Sequence, residues 1–258
     1  MSYVLTLSCP DRPGLVFAVT RWIAESGGNI LDSQQFTDTS TEPDRGPEFF
    51  LRVHFEHPDP PDFTPVAAEH AMDFRLVVAE RPMRTLVMVS TEGHCLNDLL
   101  YRQSTGALSI EVPAIVSNHR ALEQVADRYG VPFHAAADKV EVEQTMLSLV
   151  DELDVDLVVL ARYMQIVTDE ACRTLEGRMI NIHHSFLPSF KGARPYQQAH
   201  DRGVKLIGAT AHYVTADLDE GPIIEQGVLR VDHRMTAADL ARSGRDVESQ
   251  TLSRAVSL

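Results

Sequence analysis

The chain is 258 residues long, 44% hydrophobic and 23% charged, with a formal net charge of −14 at pH 7. That length holds one large or two modest domains with real cores, and the acidity excludes nonspecific nucleic-acid binding, which depends on Lys and Arg. Three scattered cysteines, Cys9, Cys95 and Cys172, lack CxxC spacing and point to a reducing cytoplasm. The N-terminus shows no basic stretch followed by a long apolar one, and the apolar run 155–161 is short and contains Asp156, so no export signal and no membrane span are expected.

In chain order, residues 3–9 alternate as a strand does, and Pro10-Asp11-Arg12-Pro13-Gly14 breaks the chain before a helix over about 15–26. Val16, Val19, Trp22 and Ile23 supply the apolar face of that helix, and Gly27-Gly28-Asn29 ends it with positive-φ positions. Strands at about 30–37 and 48–56 flank the polar loop 38–47, followed by a helix near 62–73 and a strand near 74–80. This β-α-β-β-α-β order is ferredoxin-like and occupies residues 1–80. After the linker Glu80-Arg81-Pro82-Met83, strands at 84–90, 112–116, 132–135, 155–161 and 178–182 alternate with helices at 94–104, 119–129, 140–153 and 168–175. Residues 236–256 form a final helix. Near-continuous apolar strands in such an alternation predict a doubly wound, mostly parallel sheet over 84–258. Ligands of such sheets bind beyond the carboxyl ends of the strands, where residues 162–166, Asn181 and His183 arrive.

Two segments carry the chemistry. Residues 181–192 place the Asn181 amide and the His183 imidazole two apart, on one face of a strand. Residues 208–222 bring His212 and then Asp219, a carboxylate between an apolar strand and the Gly221-Pro222 turn. An oxyanion donor, a general acid/base and a carboxylate that holds water or orients the imidazole suit acyl chemistry at a small carbonyl. Eleven histidines raise the question of a metal. No HExxH motif is present, and adjacent strand residues His183 and His184 point to opposite faces, so no metal is expected.

Asn181-x-His183-x-Ser185-x-Leu187-Pro188, then His212 and Leu218-Asp219-x-Gly221-Pro222, resembles the signature of the folate-dependent formyltransferase family, over nearly the whole chain. His184 and the run Phe190-Lys191-Gly192-Ala193-Arg194-Pro195-Tyr196 are similar to the formyltetrahydrofolate deformylase branch. The Asp11–Leu15 turn and the Gly27–Ile30 step resemble the ACT domain, a regulatory module that often binds amino acids. The resemblance implies hydrolysis of 10-formyltetrahydrofolate to tetrahydrofolate and formate, serving one-carbon metabolism and purine biosynthesis, with folate as substrate and no cofactor. It implies Asn181, His183 and Asp219 as catalytic residues. Met164, Gln165, Val167, His184, Ser185 and His212 become substrate contacts, with Lys191 and Arg194 near an anionic folate tail. Asp11, Gly14, Gly28 and Asn29 become the contacts of an amino-acid effector, in a cytoplasmic homo-oligomer. Family members continue beyond the last helix with another strand and a tail, whereas the sequence given ends at Leu258.

Residues 90–96, Ser-Thr-Glu-Gly-His-Cys-Leu, decide the acceptor. The ribonucleotide transformylases have a glycine-rich, phosphate-cradling turn there. Here Glu92 sets a negative charge where a phosphate would sit, which favours water. The alternatives are formyl transfer to an amine, on glycinamide ribonucleotide or methionyl-tRNA, and a non-catalytic amino-acid sensor.

Overall fold

The computed structural model describes residues 1–39, 46–189 and 194–258 and divides into two units, Met1–Arg81 and Pro82–Leu258. In the first, β1 (Ser2–Pro10), α1 (Leu15–Glu25), β2 (Asn29–Asp38), β3 (Glu48–Glu56), α2 (Thr64–His70) and β4 (Asp73–Val78) follow the expected order. The sheet runs β2-β3-β1-β4, antiparallel throughout. Alternation on β1 and β3 buries Leu5, Leu7, Leu51, Val53 and Phe55 on one face, under Leu15, Val19 and Ile23 of α1. Val16, expected inside, is exposed, because the buried stripe runs one position earlier at i, i+4 and i+8. Trp22 closes the layer edge-on to Phe63, with ring centroids 4.9 Å apart.

The second unit comprises β5 (Met83–Val89), α3 (His94–Ser104), β6 (Ile110–Glu111), β7 (Ile115–Ser117), α4 (Glu123–Tyr129), β8 (Phe133–Ala135), α5 (Lys139–Glu152), β9 (Leu157–Leu160), α6 (Asp169–Thr174), β10 (Met179–His183), α7 (Pro195–Asp201), β11 (Leu206–Tyr213), β12 (Ile223–Arg230) and α8 (Ala237–Ser257). Of the expected strand 112–116 only Ile115 and Val116 are strand, in β7; residues 112–114, between β6 and β7, are not, and Pro113 has no N–H for a ladder. Helix α4 begins four residues later than expected, after the bend 118–122. Sheet order is β12-β11-β10-β9-β5-β7-β8, with β6 beside β5. Pairs from β10 to β8 are parallel, whereas β11 and β12 add an antiparallel edge beyond the parallel strands.

Period-two alternation divides the core between the two faces. Val87, Val89, Val159, Ala161, Ile180 and Ile182 pack against Leu99 and Leu100 of α3 and Leu252 and Val256 of α8. Leu86, Met88, Val158, Leu160 and Met179 pack against Val142, Met146 and Val150 of α5 and Leu175 just past α6. The chain winds outward from β5 through β7 to β8, then returns to β9 on the other side. The carboxyl ends of β5, β9 and β10 therefore open at a topological switch point.

Candidate active site

Strand β10 lies between parallel β9 and antiparallel β11, so Asn181 is paired with Leu160 on one side and with His212 on the other. That register brings the Asn181 Nδ2 amide to 3.3 Å from His212 Nε2. His212 Nδ1 lies 2.8 Å from the Tyr213 carbonyl, which only an N–H can satisfy. Nε2 is then the lone pair of a neutral ring, and it accepts from the Asn181 amide and fixes which way that amide points. Burial lowers the His212 pKa and keeps the ring neutral.

His183 ends β10, and its Nδ1 is 3.3 Å from Asp219 Oδ2, while Asp219 Oδ1 is 3.7 Å from His212 Nε2. The His183 hydrogen bond holds the Asp219 carboxyl below its ordinary range. Asp219 sits at φ 58 in the loop between β11 and β12. Gly221 seats that loop, since a Cβ there would lie 1.9 Å from the Tyr213 carbonyl oxygen. With Nδ1 committed to Asp219, His183 Nε2 is the free lone pair. It is buried and has no hydrogen-bond partner among the described residues.

These groups line a cavity of about 410 Å³ whose other walls are Arg162 to Val167, Val214 to Ala216 and Leu218. Met164, Gln165 and Val167 are in that wall, as are His184, Arg194 and His212. The wall is fixed from an unexpected quarter: Ser90 Oγ, at the end of β5, accepts from the Met164 N–H at 3.0 Å and donates to Asn118 Oδ1 at 2.6 Å. Ser185 is elsewhere. Its hydroxyl donates to the Ser189 carbonyl, and Thr210 Oγ1 donates to its own carbonyl, so it shapes the 185–189 turn and does not reach the cavity. Lys191 lies outside the described residues.

Two expectations are corrected. His183 and His184 do not face opposite ways, because β10 ends at His183; both rings line the cavity, 5.2 Å apart. Burial, followed by the Arg162 charge, lowers the His184 pKa to about 4, so it is neutral near pH 7. Nor does Glu92 present a bare negative charge. Its carboxylate lies 3.7 Å from Arg245 Nε and 3.8 Å from His94 Nδ1, cations and rings brought in by α8 and α3. Among the described residues one group has metal-ligand spacing, His94, Cys95 and Glu248. The Arg162 guanidinium already lies 3.3 Å from that Glu248 carboxylate, and burial pushes the Cys95 thiol up, so the set favours a fixed cation over a metal ion.

In the first unit the four effector candidates separate into two clefts. Asp11 and Gly14 line one with Arg12, Thr20 and Thr37; Gly28 and Asn29 line the other with Arg21 and Ile30. Gly28 has a packing duty besides, for a Cβ there would meet Ile23 Cγ2 at 2.9 Å and the Glu56 carbonyl at 3.0 Å.

Residues 3–66 match the ACT domain family and residues 83–256 the formyl transferase family. Fold and site together define a formyl transferase-type α/β protein that carries an ACT domain. The chain is 46% identical to the formyltetrahydrofolate deformylase of Bacillus subtilis over 98% of its length and 87% of the relative's. The crystal structure of the Burkholderia mallei formyltetrahydrofolate deformylase superposes with a TM-score of 0.92 at 44% identity, covering 99% of this chain and 93% of that one. A phosphoribosylglycinamide formyltransferase from Anaplasma phagocytophilum matches 68% of this chain and 85% of its own, at 33% identity and a TM-score of 0.63. The chain belongs to the formyltetrahydrofolate deformylase family.

Proposed function

We infer that the protein hydrolyses 10-formyltetrahydrofolate to tetrahydrofolate and formate, and that Asn181, His183 and Asp219 carry the reaction. The observation that carries the assignment of roles is the His183 ring, held at Nδ1 by Asp219 at 3.3 Å, with a buried Nε2 that has no hydrogen-bond partner among the described residues, in a cavity that Asn181 also lines. Water attacks the formyl carbon, the carbonyl electron pair moves to oxygen, and the Asn181 N–H donates to that oxyanion; one such donor is worth about 3 kcal/mol. His183 Nε2 takes the proton from the attacking water, and Asp219 stabilises the imidazolium that forms. Collapse of the tetrahedral intermediate breaks the C–N bond, His183 returns the proton to the departing folate nitrogen, and the formic acid that forms gives its own proton to solvent and leaves as formate. His212 acts by fixing the Asn181 amide. The apolar part of the cavity and the Met164–Val167 backbone suit the flat pterin ring.

The amine-transfer alternative draws its support from more distant relatives, matched over about two thirds of the chain. Incubating the protein with 10-formyltetrahydrofolate alone, then adding glycinamide ribonucleotide, separates the readings. Formate released at an unchanged rate supports hydrolysis, and formylation of the ribonucleotide outpacing formate supports transfer. We further propose an amino-acid effector at the Asp11–Gly14 cleft, which offers Arg12, Thr20 and turn backbone groups to a carboxylate and an ammonium. Self-association finds support in Phe36 and Phe50, paired across β2 and β3 and both exposed. Cytoplasmic residence finds support in three free, buried cysteines.

A further inference from the structure

Glu248 is a carboxylate on the last helix that the mechanism above does not use, and it is 1% exposed. Three separate segments converge on it. His94 Nε2, from the start of α3, lies 2.8 Å from Oε2; Arg162 Nε, just beyond β9, lies 3.3 Å from the same oxygen; and the Tyr196 hydroxyl, from α7, donates to Oε1 at 2.5 Å. Burial pushes the Glu248 pKa up, but the His94 hydrogen bond, the Arg162 charge and the Tyr196 hydroxyl outweigh it, so the group is held ionised below its ordinary value. Access for Tyr196 comes from Gly244, one turn earlier on α8, where any Cβ would lie 2.1 Å from the tyrosine oxygen.

The cluster lies in the wall of a second cavity of about 380 Å³, lined also by Glu92, Arg194 and Arg245. This cavity and the substrate cavity share Arg162, His184 and Arg194. It therefore adjoins the substrate cavity along those three residues, on the side opened by α3, α7 and α8. A guanidinium, an imidazole and a phenol converging on one point form a binding point for a carboxylate or phosphate, and here a side chain of the protein occupies it. Arg162 itself sits at φ 65, a left-handed conformation that a non-glycine residue holds only when its surroundings fix it.

We propose that Glu248 is a positioning and specificity-determining residue: it fills, from within the chain, the anion point made by Arg162, His94 and Tyr196, which closes the acceptor side to anionic acceptors and fixes the guanidinium in the common wall. The proposal rests on the hydrolytic reading and explains how the acceptor side is kept for water. It also predicts a division of effects. Without its carboxylate, Arg162 is an uncompensated buried cation in the wall of the cavity where His183 must become positive, so the chemical step suffers. The folate wall is held independently by Ser90 at Met164, so affinity for the substrate does not.

The test uses the full chain with Glu248→Ala and Glu248→Gln, assayed for formate release with and without added acetate, and titrated with acetate and with inorganic phosphate by calorimetry. In the alanine variant kcat falls by about tenfold or more while KM changes by less than about threefold. Acetate, a carboxylate and a methyl group, fills the space and restores the rate; the variant binds acetate or phosphate, and the parent binds neither there. In the glutamine variant the space is filled and the charge is gone, so kcat is low and acetate does not help. A folded alanine variant with the parental kcat overturns the proposal, and so does a loss of rate that acetate leaves unchanged. Should the alanine variant not fold, the glutamine variant decides: a parental kcat overturns the proposal, and a depressed kcat in protein that circular dichroism shows to be folded at the assay temperature supports it. Failure of the parent to release formate at all refutes the hydrolytic reading instead, and the anion titrations of parent and variant still report on the binding point.

Discussion

Replacing Asp219 with Asn isolates the part of catalysis that depends on charge. The asparagine carbonyl can still accept from His183 Nδ1, 3.3 Å away, and the substitution keeps the size and shape of the side chain, so the local geometry has no reason to collapse. What disappears is the attraction between a carboxylate and the imidazolium formed during attack. At 3.3 Å and an effective dielectric near 20, that attraction is about 5 kcal/mol, because Asp219 is partly screened from solvent. Since about 1.4 kcal/mol is a factor of ten, kcat should fall by roughly three to four powers of ten. The lost attraction is to a charge that forms only during attack, so KM should change by only about a few-fold. The assay is steady-state formate release at saturating 10-formyltetrahydrofolate, with circular dichroism and melting temperature to verify folding. A folded Asp219→Asn protein whose kcat stays within about tenfold of the parent would refute the assigned role.

Gly221→Ala places a methyl group 1.9 Å from the Tyr213 carbonyl and must displace the Asp219 loop, costing about 1–3 kcal/mol of stability and lowering kcat together; thermal unfolding and turnover measured side by side check this. His184 is neutral in the fold with a pKa near 4 against 6.5 for a free imidazole, so the unfolded chain binds a proton first as pH falls. Stability should decline between pH 6.5 and about 4, by up to roughly 3 kcal/mol from this residue, and level off below; urea unfolding at each pH should show a shallower slope in His184→Asn. In the first unit, calorimetry across the twenty amino acids should find one that binds at the Asp11–Gly14 cleft, with Arg12→Ala weakening it; no heat from any of them would leave the domain a scaffold.

Local signals made much of this fold legible. Alternation located β1, the polar loop 38–47 separated β2 from β3, apolar runs located β5 and β9, and the i, i+2 spacing of Asn181 and His183 placed both on one strand face. The strand that carries His212 was expected, but its return as a hairpin with β12 and the short helix α7 were not. Their sequences alternate weakly, and β12 carries Glu225, Gln226 and Arg230, as suits an edge strand. The contact between Asn181 and His212 was invisible because it depends on the β10–β11 register, which no local pattern specifies. The pairing of Glu92 with Arg245 was invisible for a like reason, as the residues lie far apart in sequence. Glu248 did leave a trace. Leu240, Gly244, Glu248 and Leu252 follow one another at four-residue steps on α8, so an acid stands in the stripe that must be buried, which is a signal for an internal ion pair.

The claim that water is the acceptor is tested most directly by the oxygen atoms of the product. With the parent protein, 10-formyltetrahydrofolate and ¹⁸O-labelled water, and no amine present, the account predicts stoichiometric tetrahydrofolate and formate, each formate carrying one solvent oxygen beside the original carbonyl oxygen. Asp219→Asn should slow the labelled product and the folate product equally. Formate without label, or no formate until an amine acceptor is supplied, would contradict the account.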